Sequence, residues 1–201
     1  MGCRAFAKEH YMAERQSMDG PNSGNPEPIP TRVELMERIE AAWAELDHAL
    51  VDLDAHQLAA KPSPPAGEGE AWSIKDHLAH LAVWMRSAAA IVSGKNRPEA
   101  MGIDRSVWER GGEEEINAAI QQHWGDRSPA DVLTALRTAQ AELRELIGAM
   151  DDEDLARPYS HFQPETPPYQ SDPVVGWIAG NTFEHVAGHL PAIGAAREQV
   201  I

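Results

Sequence analysis

Cysteine occurs once in the 201 residues, as Cys3, so neither a disulfide framework nor a cysteine zinc cluster is available. That fits a reducing compartment, and the expected location is cytoplasmic. Basic residues are scarce: 17 Lys and Arg stand against 32 Asp and Glu, for a net charge of −15. A surface of that sign disfavours the phosphates of nucleic acid and of anionic lipid, so no nucleic acid and no membrane is expected as a partner. No apolar run approaches the ~20 residues that span a bilayer. The first residues also lack the apolar stretch of a secretory signal. Missing too are the Gly-Xaa-Ser-Xaa-Gly elbow and the glycine loops that hold phosphates or dinucleotides. Any chemistry must therefore run through a bound metal, a general base, or a nucleophile brought by a cosubstrate.

What the chain does have is helical periodicity. Hydrophobic residues make up 42% of it, enough for the core of one sizeable domain. Residues 1–30 read as a disordered N-terminal tail, because Asp19 to Pro30 is dense in turn formers and helix breakers. Residues 31–201 form the domain. Thr31 and Glu34 make a capping-box pattern, after which Val33, Met36, Ile39, Trp43, Leu46, Leu50 and Leu53 recur at helical steps. Pro62, Pro64 and Pro65 end that element. A second helix starts after Ser73, with Asp76 completing a similar cap and Ile74, Leu78, Leu81, Met85 and Val92 as its stripe. Gly94 and Pro98 close it. A shorter helix covers Glu113–Trp124, and Ser128-Pro129 opens the next long one. The acidic run Asp151–Asp154 reads as a solvated connector, and Arg157–Pro173 as a loop across the end of the bundle. Asp172-Pro173 then opens one final helix that buries Val175, Ala179, Phe183, Val186, Leu190 and Ile193. Gly180 and Gly188 are read as points of close approach along it. Four long helical patterns and no alternating strand pattern give an all-α fold class. It is a four-helix bundle with long loops and a short extra helix between helices 2 and 3.

On the last helix Asn181, His185 and His189 form a polar stripe beside the apolar one. One turn separates the two histidines, so both imidazoles can reach a single ion. Two ligands from one helix seldom complete a site. The third is His77 or His80 on the second helix, and the helical wheel does not choose between them. Three protein ligands with an open position describe a catalytic rather than a structural metal site. Neutral imidazole suits zinc, nickel, iron or copper. Asp76 and Glu184 are alternative oxygen donors to the metal, or groups that orient an imidazole, and either is a candidate base. His48, His56, His123 and His161 show no pairing and read as surface or core-margin residues, and most of the tryptophans read as core.

The stretch Trp72-Ser73-Ile74-Lys75-Asp76-His77-Leu78-Ala79-His80-Leu81 is one of two that resemble motifs of the DinB-like superfamily of four-helix bundles. The other is Trp177-Ile178-Ala179-Gly180-Asn181-Thr182-Phe183-Glu184-His185, followed by His189-Leu190-Pro191-Ala192-Ile193. Within that superfamily the chain is most similar to the ClbS/DfsB-like branch, whose third segment Ile116-Asn117-Ala118-Ala119-Ile120 also resembles. The resemblance implies a divalent ion, zinc or nickel foremost, held by three histidines. Matched residue by residue, these are His80, His185 and His189. It also implies a low-molecular-weight thiol as cosubstrate, since related families include metal-dependent thiol transferases and isomerases. The branch includes a hydrolase of a reactive cyclopropane genotoxin, and some of its members lack the triad that is intact here. The expected function is thus a metal-dependent transferase or hydrolase acting on a small electrophilic substrate. The alternative is a bundle that captures a small molecule without turnover, in a resistance or stress role. A blander reading has the histidines satisfy one another at the interface of a homodimer.

Overall fold

The computed structural model describes residues 29–63, 71–110, 112–164 and 171–201. The tail expected over residues 1–30, Cys3 included, lies outside them except for Ile29 and Pro30, as do Pro64 and Pro65.

Helix α1 (Arg32–Leu50) begins at the anticipated cap. The Glu34 backbone N–H donates to Thr31 Oγ1 at 3.3 Å, and the Thr31 N–H donates to Glu34 Oε2 at 2.8 Å. Its buried face is Leu35, Ile39, Ala42, Trp43 and Leu46. Val33, expected on that face, is 57% exposed; two residues before Leu35, it lies roughly 200° away round the helix. After the short α2 (Ala55–Ala59) the chain reaches α3 (Ile74–Val92), the centre of the molecule. It is buried on nearly every face and packs chiefly on α7 (Pro129–Gly148), and also on α6 (Glu113–Trp124) and α11 (Phe183–Val200). A helix surrounded in this way must be apolar or small all round, and Ala79, Ala82, Ala88, Ala89 and Ala90 meet that need.

Gly94 ends the α3 region in the left-handed conformation, at φ +65°. Pro98 does not close it. Instead it sits in the first turn of α4 (Arg97–Met101), where a missing N–H costs nothing. Helix α5 (Arg105–Arg110) then leads into α6. Two buried cations fasten this excursion to the bundle. Lys75 Nζ donates to the carbonyls of Gly125 at 2.5 Å and Arg127 at 3.3 Å. Arg97 Nε donates to Ser87 Oγ at 2.8 Å, and its guanidinium lies over the rings of Trp108 and Trp177 at 4.9 and 5.6 Å.

The acidic run is not merely a connector. Asp151 caps a helical turn, α8 (Asp152–Ala156), and Asp152 Oδ1 accepts from the Arg32 N–H at 2.7 Å, at the start of α1. The expected loop holds a turn of its own, α9 (Tyr159–Phe162), and its ends meet: Tyr159 N–H donates to Asp172 O at 2.9 Å and Val174 N–H to Arg157 O at 2.8 Å. The single final helix expected from the sequence is two, α10 (Val174–Gly180) and α11. At the break, Asn181 Nδ2 donates to Trp177 O at 2.7 Å and Thr182 Oγ1 to Ile178 O at 2.6 Å. These side chains satisfy carbonyls that the interruption releases. Asn181 therefore belongs to the break and not to the histidine stripe. Around Gly188 the space a Cβ would occupy is open, so no neighbouring helix approaches it.

One main core joins α1, α3, α7, α10 and α11. A smaller cluster of Val83, Met101, Ile103, Ile116 and Ile120 lies beneath α4 to α6. The architecture is the expected all-α bundle, with no strand among the described residues.

Candidate metal centre

Two elements build the site. Ser73 caps α3 through a capping box with Asp76, setting the register of the first turns, which carry His77 and His80. The break at Asn181-Thr182 starts α11 afresh, and its first two turns carry His185 and His189. The helices face each other so that His80 Nε2 lies 2.9 Å from His185 Nε2. His185 Nε2 is in turn 3.2 Å from His189 Nε2. One ligand atom from each of the three falls within 4.8 Å of the others. Four imidazoles meet here and not three, because His77 Nδ1 lies 2.9 Å from His189 Nδ1.

Trp72 and Trp84 wall the cluster. The Trp72 ring stacks on His189 at 6.4 Å and 14° and lies 5.2 Å from His80 and 5.3 Å from His77. Trp84 lies 6.1 Å from His80 and 6.3 Å from His185. Both tryptophans are half-buried, whereas Trp43 and Trp177 are core. Trp72, which its place just before the Ser73 cap suggests as a staple at the entry to the helix, is thus also a side of the site.

The electrostatics favour neutral rings. Burial pushes His80 far below the ordinary histidine value, and the neighbouring His185 and His189 add to the effect. Asn117 offsets a small part of it, although no side chain reaches hydrogen-bond geometry on His80 Nδ1. His185 is pushed down to about 3, by burial first and by His189 second. His189 is pushed down to about 4, by burial and then by His77. Unprotonated imidazoles are what a metal ion requires.

The donor set fits such an ion. His185 Nε2 faces two other Nε2 atoms, and a single proton cannot bridge both contacts. A cation accepts a lone pair from all three without that conflict. Tetrahedral ligands at ~2.0–2.1 Å stand roughly 3.3 Å apart; the two separations to His185, 2.9 and 3.2 Å, are close to that, and all three ligand atoms lie within 4.8 Å of one another.

The acids are placed differently. Asp76 is buried and engaged in the cap, its Oδ2 accepting from the Ser73 N–H at 2.9 Å. Glu184 is half-buried in the first turn of α11, beside His185. Neither joins the ligand cluster. His48, His56, His123 and His161 are exposed, as expected. A groove of about 540 Å³ lies elsewhere, lined by Arg86, Lys95, Glu99 and Glu142 among others. Its charges partly pair with each other, as in Lys95–Glu142 at 3.3 Å, and the histidines take no part in it.

The family model of the DinB superfamily matches residues 38–193. The chain belongs to the DinB superfamily. Solved structures of the same fold include a protein from Streptococcus pneumoniae, 13% identical, with a TM-score of 0.68 over 96% of this chain and 99% of that one. Another is the colibactin self-resistance protein ClbS in complex with a dsDNA, 18% identical, with a TM-score of 0.58 over 85% and 96%. A third is described as a sibling lethal factor precursor, DfsB, 17% identical, with a TM-score of 0.53 over 86% and 94%. The ClbS and DfsB neighbours match the branch that the two sequence motifs resemble. No curated protein matches the chain.

The ClbS complex corrects one expectation. No nucleic acid was expected on net charge, yet a neighbour of the same fold, ClbS, is crystallised in complex with a dsDNA. Net charge is a sum over the whole surface, whereas a duplex meets one face of it. A total of −15 therefore does not exclude nucleic acid as a partner in this fold.

Proposed function

We propose that this DinB-superfamily chain is a metal-dependent enzyme acting on a small electrophilic substrate, by thiol transfer or by hydrolysis. His80, His185 and His189 would hold a divalent ion, zinc or nickel, through their Nε2 atoms. The observation that supports the reading best is the convergence of those atoms, at 2.9 and 3.2 Å, from helices about a hundred residues apart in sequence. Such an ion supplies Lewis-acid chemistry, polarising an electrophile and lowering the pKa of a thiol or a water.

The chain's own residues account for the rest. Burial keeps the three rings neutral and ready to donate. Trp72 and Trp84 exclude water from one side and offer apolar faces to a guest. Glu184, in the first turn of α11 beside His185, is the proposed base, and the Asp76 carboxylate serves the α3 cap. Cys3 is near the chain end and is not assigned to the site, so thiol chemistry draws on a low-molecular-weight thiol as cosubstrate.

The neighbour described as a self-resistance protein favours a second reading, in which the bundle captures a toxic small molecule without turnover. Both are tested by a panel of small electrophiles, with and without added thiol, against zinc-loaded, nickel-loaded and chelated protein. Turnover that needs metal and is lost in His80→Ala supports the enzyme. Capture without turnover, unaffected by chelator, replaces it with the second reading.

A further inference from the structure

We propose that His77 is a positioning residue for the metal centre, acting through His189, and not a fourth ligand. The inference rests on the three-histidine reading above. His189 uses both ring nitrogens: Nε2 faces His185 at 3.2 Å and Nδ1 faces His77 Nδ1 at 2.9 Å. These two nitrogens diverge on one ring, so an ion on Nε2 lies on the side away from His77. A fourth imidazole ligand would close the site; His77 sits behind His189 and leaves the remaining position open.

The hydrogen bond also fixes the tautomer. If His189 Nε2 gives its lone pair to a cation, its proton is on Nδ1 and is donated to the Nδ1 lone pair of His77. The proton of His77 is then on its own Nε2. Histidines that bind metal almost always donate their second nitrogen to a neighbouring group. Of the three proposed ligands, only His189 has such a partner among the described residues, since the Nδ1 atoms of His80 and His185 are buried without one. His77 at the Nδ1 edge and Trp72 stacked on the face together confine the His189 ring. One turn of α3 thus carries a ligand in His80 and the orienter of another ligand in His77.

The test is a zinc titration of wild type, His77→Leu and His77→Asn in competition with a chromophoric chelator, together with visible spectra of the cobalt forms. Circular dichroism checks that both variants are folded. His77→Leu should keep one equivalent of zinc but bind it about 10–100-fold more weakly, with the cobalt bands unmoved. His77→Asn, whose Oδ1 can stand where the ring nitrogen stood, should recover most of the loss. Wild-type affinity in both variants overturns the positioning role and leaves the triad intact. Shifted cobalt bands or lost stoichiometry in His77→Leu also overturn it, by making His77 a ligand. A wild type that binds no zinc overturns the three-histidine reading itself.

Discussion

Burial decides the charge of each ring in the cluster, and that charge gives the protein a pH dependence. His189 is held at about 4 in the folded chain, against ~6.5 when unfolded. Between those values the unfolded chain binds a proton that the folded chain refuses, so stability rises with pH across the window. Its contribution is complete above pH 6.5 and is lost as pH falls towards 4. Taking the metal-free protein from pH 7 to pH 5 should cost about 2 kcal/mol through His189 alone, with His185 adding to it. Urea midpoints measured in chelator will show this, and a midpoint unchanged over that range would contradict it. The two acids should separate in the same way. Asp76→Ala should lower stability by about 1 kcal/mol through loss of the cap, whereas Glu184→Gln should lower turnover with one equivalent of metal still bound. At this scale the spacing of His185 and His189 was legible, because one helix sets it. The choice between His77 and His80 was not legible from periodicity, because it depends on how two helices face each other. Both in fact meet the last helix, His77 at Nδ1 of His189 and His80 at Nε2 of His185.

Local chemistry explains why some elements were legible and others were not. Thr31, Ser73 and Ser128 cap their helices as expected, since a capping box involves only four consecutive residues. The break between α10 and α11 was hidden because it depends on Asn181 and Thr182 turning back onto the carbonyls of Trp177 and Ile178. The periodicity of the apolar stripe passes over it unchanged. The α8 turn does carry a local capping box, Asp151 with Asp154, which the acidic run masks; the part no local pattern shows is that Asp152 accepts from the distant Arg32 N–H. Because the first turns of α3 carry His77 and His80, its cap should matter to the site as well as to the fold. Ser73→Ala should lower stability by about 1 kcal/mol and weaken metal binding with it. Calorimetry and a zinc titration on the same variant check both, and a stability loss with unchanged affinity would uncouple the cap from the site.

The whole molecule is a bundle organised round one buried helix, and the family match over residues 38–193 covers every element of the site. Removal of residues 1–30 should therefore leave the melting temperature and the metal content unchanged; a fall in either would make the tail part of the domain. Fold class was legible from composition and periodicity together. Partner class was not, because charge summed over a surface does not describe any one face of it. The account as a whole stands on three histidines sharing one ion. The direct measurement is elemental analysis of protein purified without an affinity-metal resin, then dialysed against zinc and against nickel, for wild type and His80→Ala. The account predicts one equivalent in wild type and almost none in the variant. A wild type that holds almost none, or a variant that holds as much as wild type, would contradict it.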